Sequence, residues 1–447
     1  MSPGKDQEYF ADGVAEEILT ALTHVRGLRV VGRTSSFSFR GGRDDLRTIG
    51  KKLDATTVLE GSVRREGGRV RITAQLVKAA DGYYLWSETY DRELTGVLAV
   101  QDEIARAVVS ALRVKLLSGD ALGSMEGQTS SPESRNQYLL AVQFARQGSR
   151  DGYRRAEEAL RKAIALDPGY ARAHALLAVI LWGRYSTGDA RSAAETEQLQ
   201  RGALAAAEKA VGLAPDLPQA YQARGSMRRR VLWDWSGAKS DLERALALNP
   251  NDPDTLWNLG FQAAMLGRLP DGVASVKRAT DLDPLSAEAW QWLGFVHMAA
   301  GDAARAREAL LRAVEIAPER DWALVLLATS FLTGGDAAAA LATMERSRTE
   351  GWRLWGRALA HHSLGNPGES QRALDENIAT MAHIAAYQIA EIYAWRGDRD
   401  RAFEWLERCY REHDSGLLHA KVDPLLRSLH SDPRWKALLR KMNLPVE

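Results

Sequence analysis

The stretch that decides the fold is residues 285–318, LSAEAWQWLGFVHMAAGDAARAREALLRAVEIAP. Large and small residues fall in a set order along it: Trp290, Leu293, Gly294, a turn at Gly301, then Ala306, Leu310, Ala313 and a closing Pro318. The preceding segment runs the same course with Leu256, Leu259, Gly260, Gly267, Gly272, Val276, Ala279 and Pro284. The one before it offers Tyr221, Gly225, Ala238, Leu242, Ala245 and Pro250. Small residues are needed where two helices cross closely, and a proline cannot continue a helix, so each unit reads as a helix pair closed by proline. Pro168, Pro215, Pro250, Pro284 and Pro318 follow one another at steps of 47, 35, 34 and 34 residues. A fixed period of this size means stacked supersecondary units rather than one globular core, and such stacks present a long concave surface to a partner.

The order of residues resembles the tetratricopeptide pattern. The 47-residue step carries 13 extra residues, placed near 183–197 between the two helices of the second repeat. Beyond Pro318 the pattern persists without prolines. Leu327, Ala328, Gly335 and Ala340 mark a sixth unit, Ala358, Gly365 and Leu374 a seventh, and Ile389, Ala390, Tyr393, Gly397, Ala402, Leu406 and Cys409 an eighth. About eight repeats are therefore expected over 135–422, with capping helices over 423–447 broken at Pro433. Cys409, the only cysteine, falls at a small-residue packing position and reads as a buried, inert thiol.

Residues 1–117 read differently, as a small α/β domain with a mixed sheet. Asp12 is a candidate cap for a helix burying Val14, Ile18, Leu19, Leu22 and Val25, ended by Gly27. Residues 28–39, rich in β-branched and aromatic residues, read as a strand. Asp44 and Asp45 open a short helix. Three strands follow at 56–65, 69–78 and 83–90, joined by Glu66-Gly67-Gly68 and Asp81-Gly82 turns. A helix over about 97–116 closes the domain, and 118–134, dominated by Gly, Ser, Thr and Asp, reads as a linker.

Lys+Arg numbers 59 against 58 Asp+Glu, so no bulk charge draws the chain to nucleic acid or anionic lipid. A lone cysteine excludes an intramolecular disulfide and any multi-cysteine metal site. No run of about 18 apolar residues marks a membrane span, and the first residues lack a secretory signal, which reads as cytoplasmic.

No catalytic constellation emerges. The histidines show no metal-ligand spacing, and His361 and His362 point about 100° apart on a helix. No nucleophile elbow or phosphate-cradling loop is present. Glu16 and Glu17, like Asp44 and Asp45, read as helix-capping and dipole-complementing carboxylates. No cofactor and no metal are expected. Arg224, Arg228, Arg229 and Arg230 form the one dense basic cluster, read as a solvated or acidic-peptide-facing patch rather than a nucleic-acid site. Trp233 and Trp235 beside it read as a packed corner between helices. The first helices of the repeats carry a stripe at helical spacing: Trp182, Gln222, Arg229, Trp257, Phe261, Gln291, Phe295, Met298, Trp322, Trp355 and Tyr387. Two readings stay open for it: core between neighbouring first helices, or a peptide-binding groove with aromatic anchors and a basic end at Arg228 and Arg229.

Five motifs carry a second resemblance. They are residues 8–19 (EYFADGVAEEIL), 32–37 (GRTSSF), 58–64 (VLEGSVR), 86–92 (WSETYDR) and 100–105 (VQDEIA). Residues 1–117 are similar to the TolB-amino-terminal-like (FlgO-like) domain of bacterial signalling proteins. That resemblance, with the repeats, implies the C-terminal sensory or scaffold half of a larger regulator, whose effector in the family is a winged-helix domain, a class III nucleotide cyclase or a protein kinase. None of these is present here. The family's domain opens with an apolar strand before the Tyr-Phe-Ala-Asp-Gly helix; this sequence begins after it, so Met1 is expected to be an internal methionine or the gene truncated. The expected function is a non-catalytic interaction scaffold of bacterial signalling that binds a peptide or protein in the concave groove. The alternative is a detached regulatory half of an adenylate or guanylate cyclase or of a transcriptional regulator. In the family this part often lies in the periplasm, beyond a membrane span, which conflicts with the cytoplasmic reading.

Overall fold

The computed structural model describes the chain except residues 1–2, 24, 26–27, 42–43, 67, 94–99, 101–102, 105–106, 109, 112–126, 128, 191 and 447, and except the side chains of 3–10, 17, 65 and 193. Most of the expected linker, parts of the expected 97–116 helix, and the turn residues Gly27 and Gly67 therefore lie outside the described residues.

The first helix, α1 (Pro3–Thr23), begins well before Asp12. Asp12 is thus not a cap. It lies inside the helix and pairs with Arg40 at 2.7 Å and Arg146 at 3.0 Å. The strand expected over 28–39 is also absent: α2 (Arg33–Phe37) occupies its second half. The cause is local. Ser36 and Ser38 hydroxyls donate to the carbonyls of Val31 and Ser35, giving the backbone an alternative to a ladder. Asp45 does cap α3 (Leu46–Leu53), accepting from the Thr48 amide at 2.7 Å. Strands β1 (Thr57–Glu66), β2 (Arg69–Lys78) and β3 (Tyr84–Glu93) form an antiparallel meander in that order. The expected mixed sheet is antiparallel among the described strands, and residues 28–39 add no strand to it. Val70, Ile72, Ala74 and Leu76 alternate into the core with Val14, Ile18, Leu22, Val100, Ile104 and Val108.

The helices that follow come in pairs. The contacts divide the chain into two units: Met1–Arg228 with Ser240–Asp252, and Arg229–Lys239 with Pro253–Glu447. In the first unit stand α4 (Pro132–Ala145) with α5 (Arg150–Leu166), and α6 (Ala171–Ser186) with α7 (Ala193–Leu213). The extra residues of the 47-residue step lengthen α6 and α7 to 16 and 21 residues, against 13 and 14 in the fourth pair, and widen the connection between them. Helices α8 (Pro218–Leu232) and α9 (Trp235–Leu248) each contribute residues to both units.

The second unit holds five more pairs: α10 (Pro253–Met265) with α11 (Leu269–Leu282), α12 (Ala287–Ala299) with α13 (Ala303–Ile316), and α14 (Asp321–Thr333) with α15 (Ala337–Met344). Then come α16 (Glu350–Ser363) with α17 (Pro367–Met381), and α18 (Ala386–Trp395) with α19 (Arg399–Glu412). Pairing uses the small-residue positions read from the sequence. Ala306, Leu310 and Ala313 are closed to solvent, and a Cβ on Gly294 would collide with the Leu310 side chain. Cys409 sits at the matching place in α19, fully buried, and burial pushes its thiol well above the ordinary range. The chain ends in two 3-10 segments, Ser415–Val422 and Pro424–Leu429, and α20 (Pro433–Lys441). Helix α20 lies against α19 through Arg434–Asp400 at 2.9 Å and Lys441–Glu407 at 2.7 Å.

Candidate functional site

Consecutive first helices α10, α12, α14, α16 and α18 touch one another and form a continuous face. Their sequences explain why it is sticky. Helices α12 and α14 are apolar almost all round, so they bury a second side besides the one facing their own partner. What covers that second side is the chain itself. The tail, Ser415–Leu429, packs on α10, α14 and α18.

At one end of the tail, His419 stands in a cage of rings. Its imidazole is 5.5 Å from Phe261, 6.1 Å from Trp292, 5.7 Å from Phe295 and 5.2 Å from Trp322, centre to centre. Trp257 stacks on Trp292 at 5.2 Å, and Trp352 links Trp322 to Trp355. Such ring pairs add about 0.5–1.5 kcal/mol each beyond burial. Burial pushes the His419 pKa down to about 4, with Arg229 and Arg230 adding to the effect, so the imidazole is neutral near pH 7. Phe261 also carries Arg229, whose guanidinium lies 4.6 Å from the ring centre. Arg229 is buried and donates to the Asn258 carbonyl, the Asn258 side-chain oxygen at 2.9 Å and the Gln262 side-chain oxygen. All three acceptors are neutral, and no described carboxylate pairs with it.

Toward the other end, Tyr387 donates its hydroxyl proton to Asp423 Oδ2 at 2.7 Å, and Trp355 Nε1 donates to Glu391 Oε2 at 2.7 Å. Glu391 and Asp423 are buried side by side. Burial and then the Asp423 carboxylate push the Glu391 pKa well up; burial likewise raises that of Asp423 against the hydrogen bonds it accepts. Two adjoining buried carboxylates share a proton rather than both ionise. Asp423 also caps the second 3-10 segment through the Leu425 amide at 2.8 Å, and Ser428 donates to the Ala394 carbonyl at 2.9 Å. Gly416 is required where the tail crosses Tyr387, since a Cβ there would overlap the ring.

Of the eleven stripe residues expected from sequence, nine are buried: Trp182, Arg229, Trp257, Phe261, Gln291, Phe295, Met298, Trp355 and Tyr387. Gln222 and Trp322 are half-buried. Trp182 and Gln222 belong to the first unit, and the remaining nine to the second. Gln291 accepts from Arg320 Nε at 2.8 Å. The basic cluster does not form one solvated patch. Arg224 and Arg228 converge on the buried carboxylate of Asp241, at 2.6 and 3.0 Å, while Arg229, one residue on, turns about 100° away. Trp233 and Trp235 do form a packed corner: Trp233 stacks on His413 at 4.1 Å, and Trp235 Nε1 donates to the Met442 carbonyl at 2.8 Å. The sequence reading missed Trp292, Glu391, His419 and Asp423. Helical spacing could have placed Trp292 beside Gln291; the two tail residues carry no periodic signal at all.

Residues 263–321 match the tetratricopeptide-repeat family model. The chain is 41% identical over 180 residues to the Rhizobium meliloti (strain 1021) protein named "Putative adenylate cyclase 3". The match covers 40% of this chain and spans only 31% of that relative's length. Among solved structures, a tetratricopeptide repeat protein from Parabacteroides merdae ATCC 43184 is 15% identical with a TM-score of 0.41, covering 60% of this chain and 100% of its own. A thermophilic TPR protein of Thermus thermophilus is 21% identical with a TM-score of 0.37, covering 44% of this chain and 99% of its own. No described helix is long and apolar enough to cross a membrane.

Proposed function

We propose that this chain is a non-catalytic interaction module of bacterial signalling whose first-helix face receives a protein segment. Stacked repeats of the tetratricopeptide kind are scaffolds for protein contacts. The observation that carries the finer reading is that this face already holds an irregular stretch of polypeptide. A ring cage takes its His419, and Tyr387 and the Ala394 carbonyl take its polar Asp423 and Ser428. A surface that seats one short segment has the chemistry to seat another. The test is a random-peptide display selection against the full chain, repeated with Trp292→Ala after circular dichroism shows the helices intact. Enriched peptides should lose binding at least about tenfold with the variant. Enrichment that ignores Trp292→Ala would place the contact elsewhere.

A second reading has its own support. The resemblance to a protein named as an adenylate cyclase favours a regulatory half that acts on a nucleotide cyclase. Purified chain added to the part of the Rhizobium relative outside the matched region should then change its rate of cyclic nucleotide formation. An unchanged rate over a wide range of chain concentrations would remove this reading.

A further inference from the structure

Within the second unit the tail is held as a ligand is held, and the fit is incomplete in two places. The first is Arg229. It is buried against Phe261, in the same aromatic cluster as His419, and its hydrogen bonds reach only neutral oxygens. Its Nε has no hydrogen-bond partner among the described atoms. Burying a cation without an anion is costly, and the cost is relieved when a carboxylate arrives. The tail offers a neutral imidazole at this point instead. The second misfit is Asp423, which the tail brings beside the buried Glu391 of α18, carboxyl against carboxyl. The resident segment therefore leaves a positive charge unanswered at one end and crowds two acids at the other.

We propose that Ser415–Leu429 is a displaceable internal occupant of the first-helix face, and that the external segment replacing it carries an acidic side chain at the place of His419, where it pairs with Arg229. The inference rests on the peptide-binding reading above and names its partner chemistry. The tail then acts as a built-in competitor: it shields the ring cage until a segment with the better charge match takes over. Its hydrogen bonds to the face are few, chiefly Tyr387 to Asp423 and Ser428 to the Ala394 carbonyl, and the rest of its hold is the burial of Leu417, Leu425, Leu426 and Leu429, so the incoming segment must supply apolar side chains besides the acid.

Hydrogen–deuterium exchange on the unmodified full chain tests this, with two synthetic peptides of residues 414–430 as probes, one natural and one carrying His419→Glu. Amides of 415–429 should exchange about tenfold or more faster than those of α12, through local opening that leaves the helices protected. The His419→Glu peptide should speed tail exchange further, at least about fivefold beyond the natural peptide. In an Arg229→Met chain that keeps its helical circular dichroism, the two peptides should act alike; the comparison on the unmodified chain stands even if that variant does not fold. Tail amides that exchange in step with α12, or two peptides with equal effect on the unmodified chain, would overturn the proposal. Fluorescence anisotropy of labelled peptides separates it from the reading beneath. Peptide binding without faster tail exchange leaves the binding face intact and removes the competition. A tail that opens while neither peptide binds removes the peptide-binding reading itself, and the competition with it.

Discussion

Between α12 and α13 the contact is made by Gly294, Ala306, Leu310 and Ala313, closed to solvent and apolar throughout. Between the first helices and the tail, buried Leu417, Leu425, Leu426 and Leu429 are joined by rings, an imidazole, a lone guanidinium and two carboxylates. The first kind of contact has one stable arrangement, since any gap or extra methylene is felt directly. The second mixes favourable apolar and ring burial with desolvated charge, so its stability is open to change by pH or by a better-matched competitor. One joint belongs to the architecture, and the other behaves as an interface.

That contrast can be broken most forcefully at the helix pairs. Leu310→Ala removes a fully buried side chain and should cost about 2–5 kcal/mol, seen as a lower urea midpoint by circular dichroism. A loss confined to the tail, with the helical midpoint unmoved, would contradict the division. Acid should act on the tail first. The folded pKa of His419 lies near 4, below its ordinary 6.5, so the docked state refuses a proton that the free tail accepts. Its contribution is fully present above pH 6.5 and fades as pH falls toward 4, by about 3 kcal/mol in all. Glu391 and Asp423 pull the other way. Their pKa values are raised in the docked state, so their contribution is present below the ordinary carboxylate range and is lost as pH rises through their folded values. Between pH 7 and 4, tail protection measured by exchange should therefore fall more, or rise less, in the parent than in His419→Asn, which keeps the two carboxyls and lacks the imidazole.

Tyr387→Phe sharpens the comparison at lower cost. It strips the buried Asp423 of a donor and should weaken tail docking by about 1–3 kcal/mol while the α12–α13 contact keeps its exchange protection. The smallest effect is expected on the outer surface. Lys277→Ala, which ends an exposed ion pair with Asp281, should leave the urea midpoint within about 0.5 kcal/mol of the parent. A larger shift there would show that surface pairs matter more in this stack than their exposure allows.

Much of this was legible residue by residue. Gly294 with Leu310, and Cys409 at its packing place, are consequences of close helix crossing, which depends on neighbours a turn or a loop away. The strand expected over 28–39 failed for an equally local reason: β-branched residues argued for a ladder, while the Ser36 and Ser38 hydroxyls supplied the backbone with bonds of its own. The Arg224–Arg230 cluster failed for a different one. Its charges looked alike in a row, yet helical rotation sent Arg224 and Arg228 to Asp241 and Arg229 into a ring-lined interior.

The sequence by itself determined the period, the helix pairs, the small residues where they cross and the stripe that the first helices share, because each follows from spacing within about one repeat. Only the tertiary structure decided what covers the stripe. Spacing tells which side of a helix is apolar but not which segment lies on it. Here that segment comes several repeats further along the chain, and its packing of His419 on Phe261 is a contact that no periodicity records.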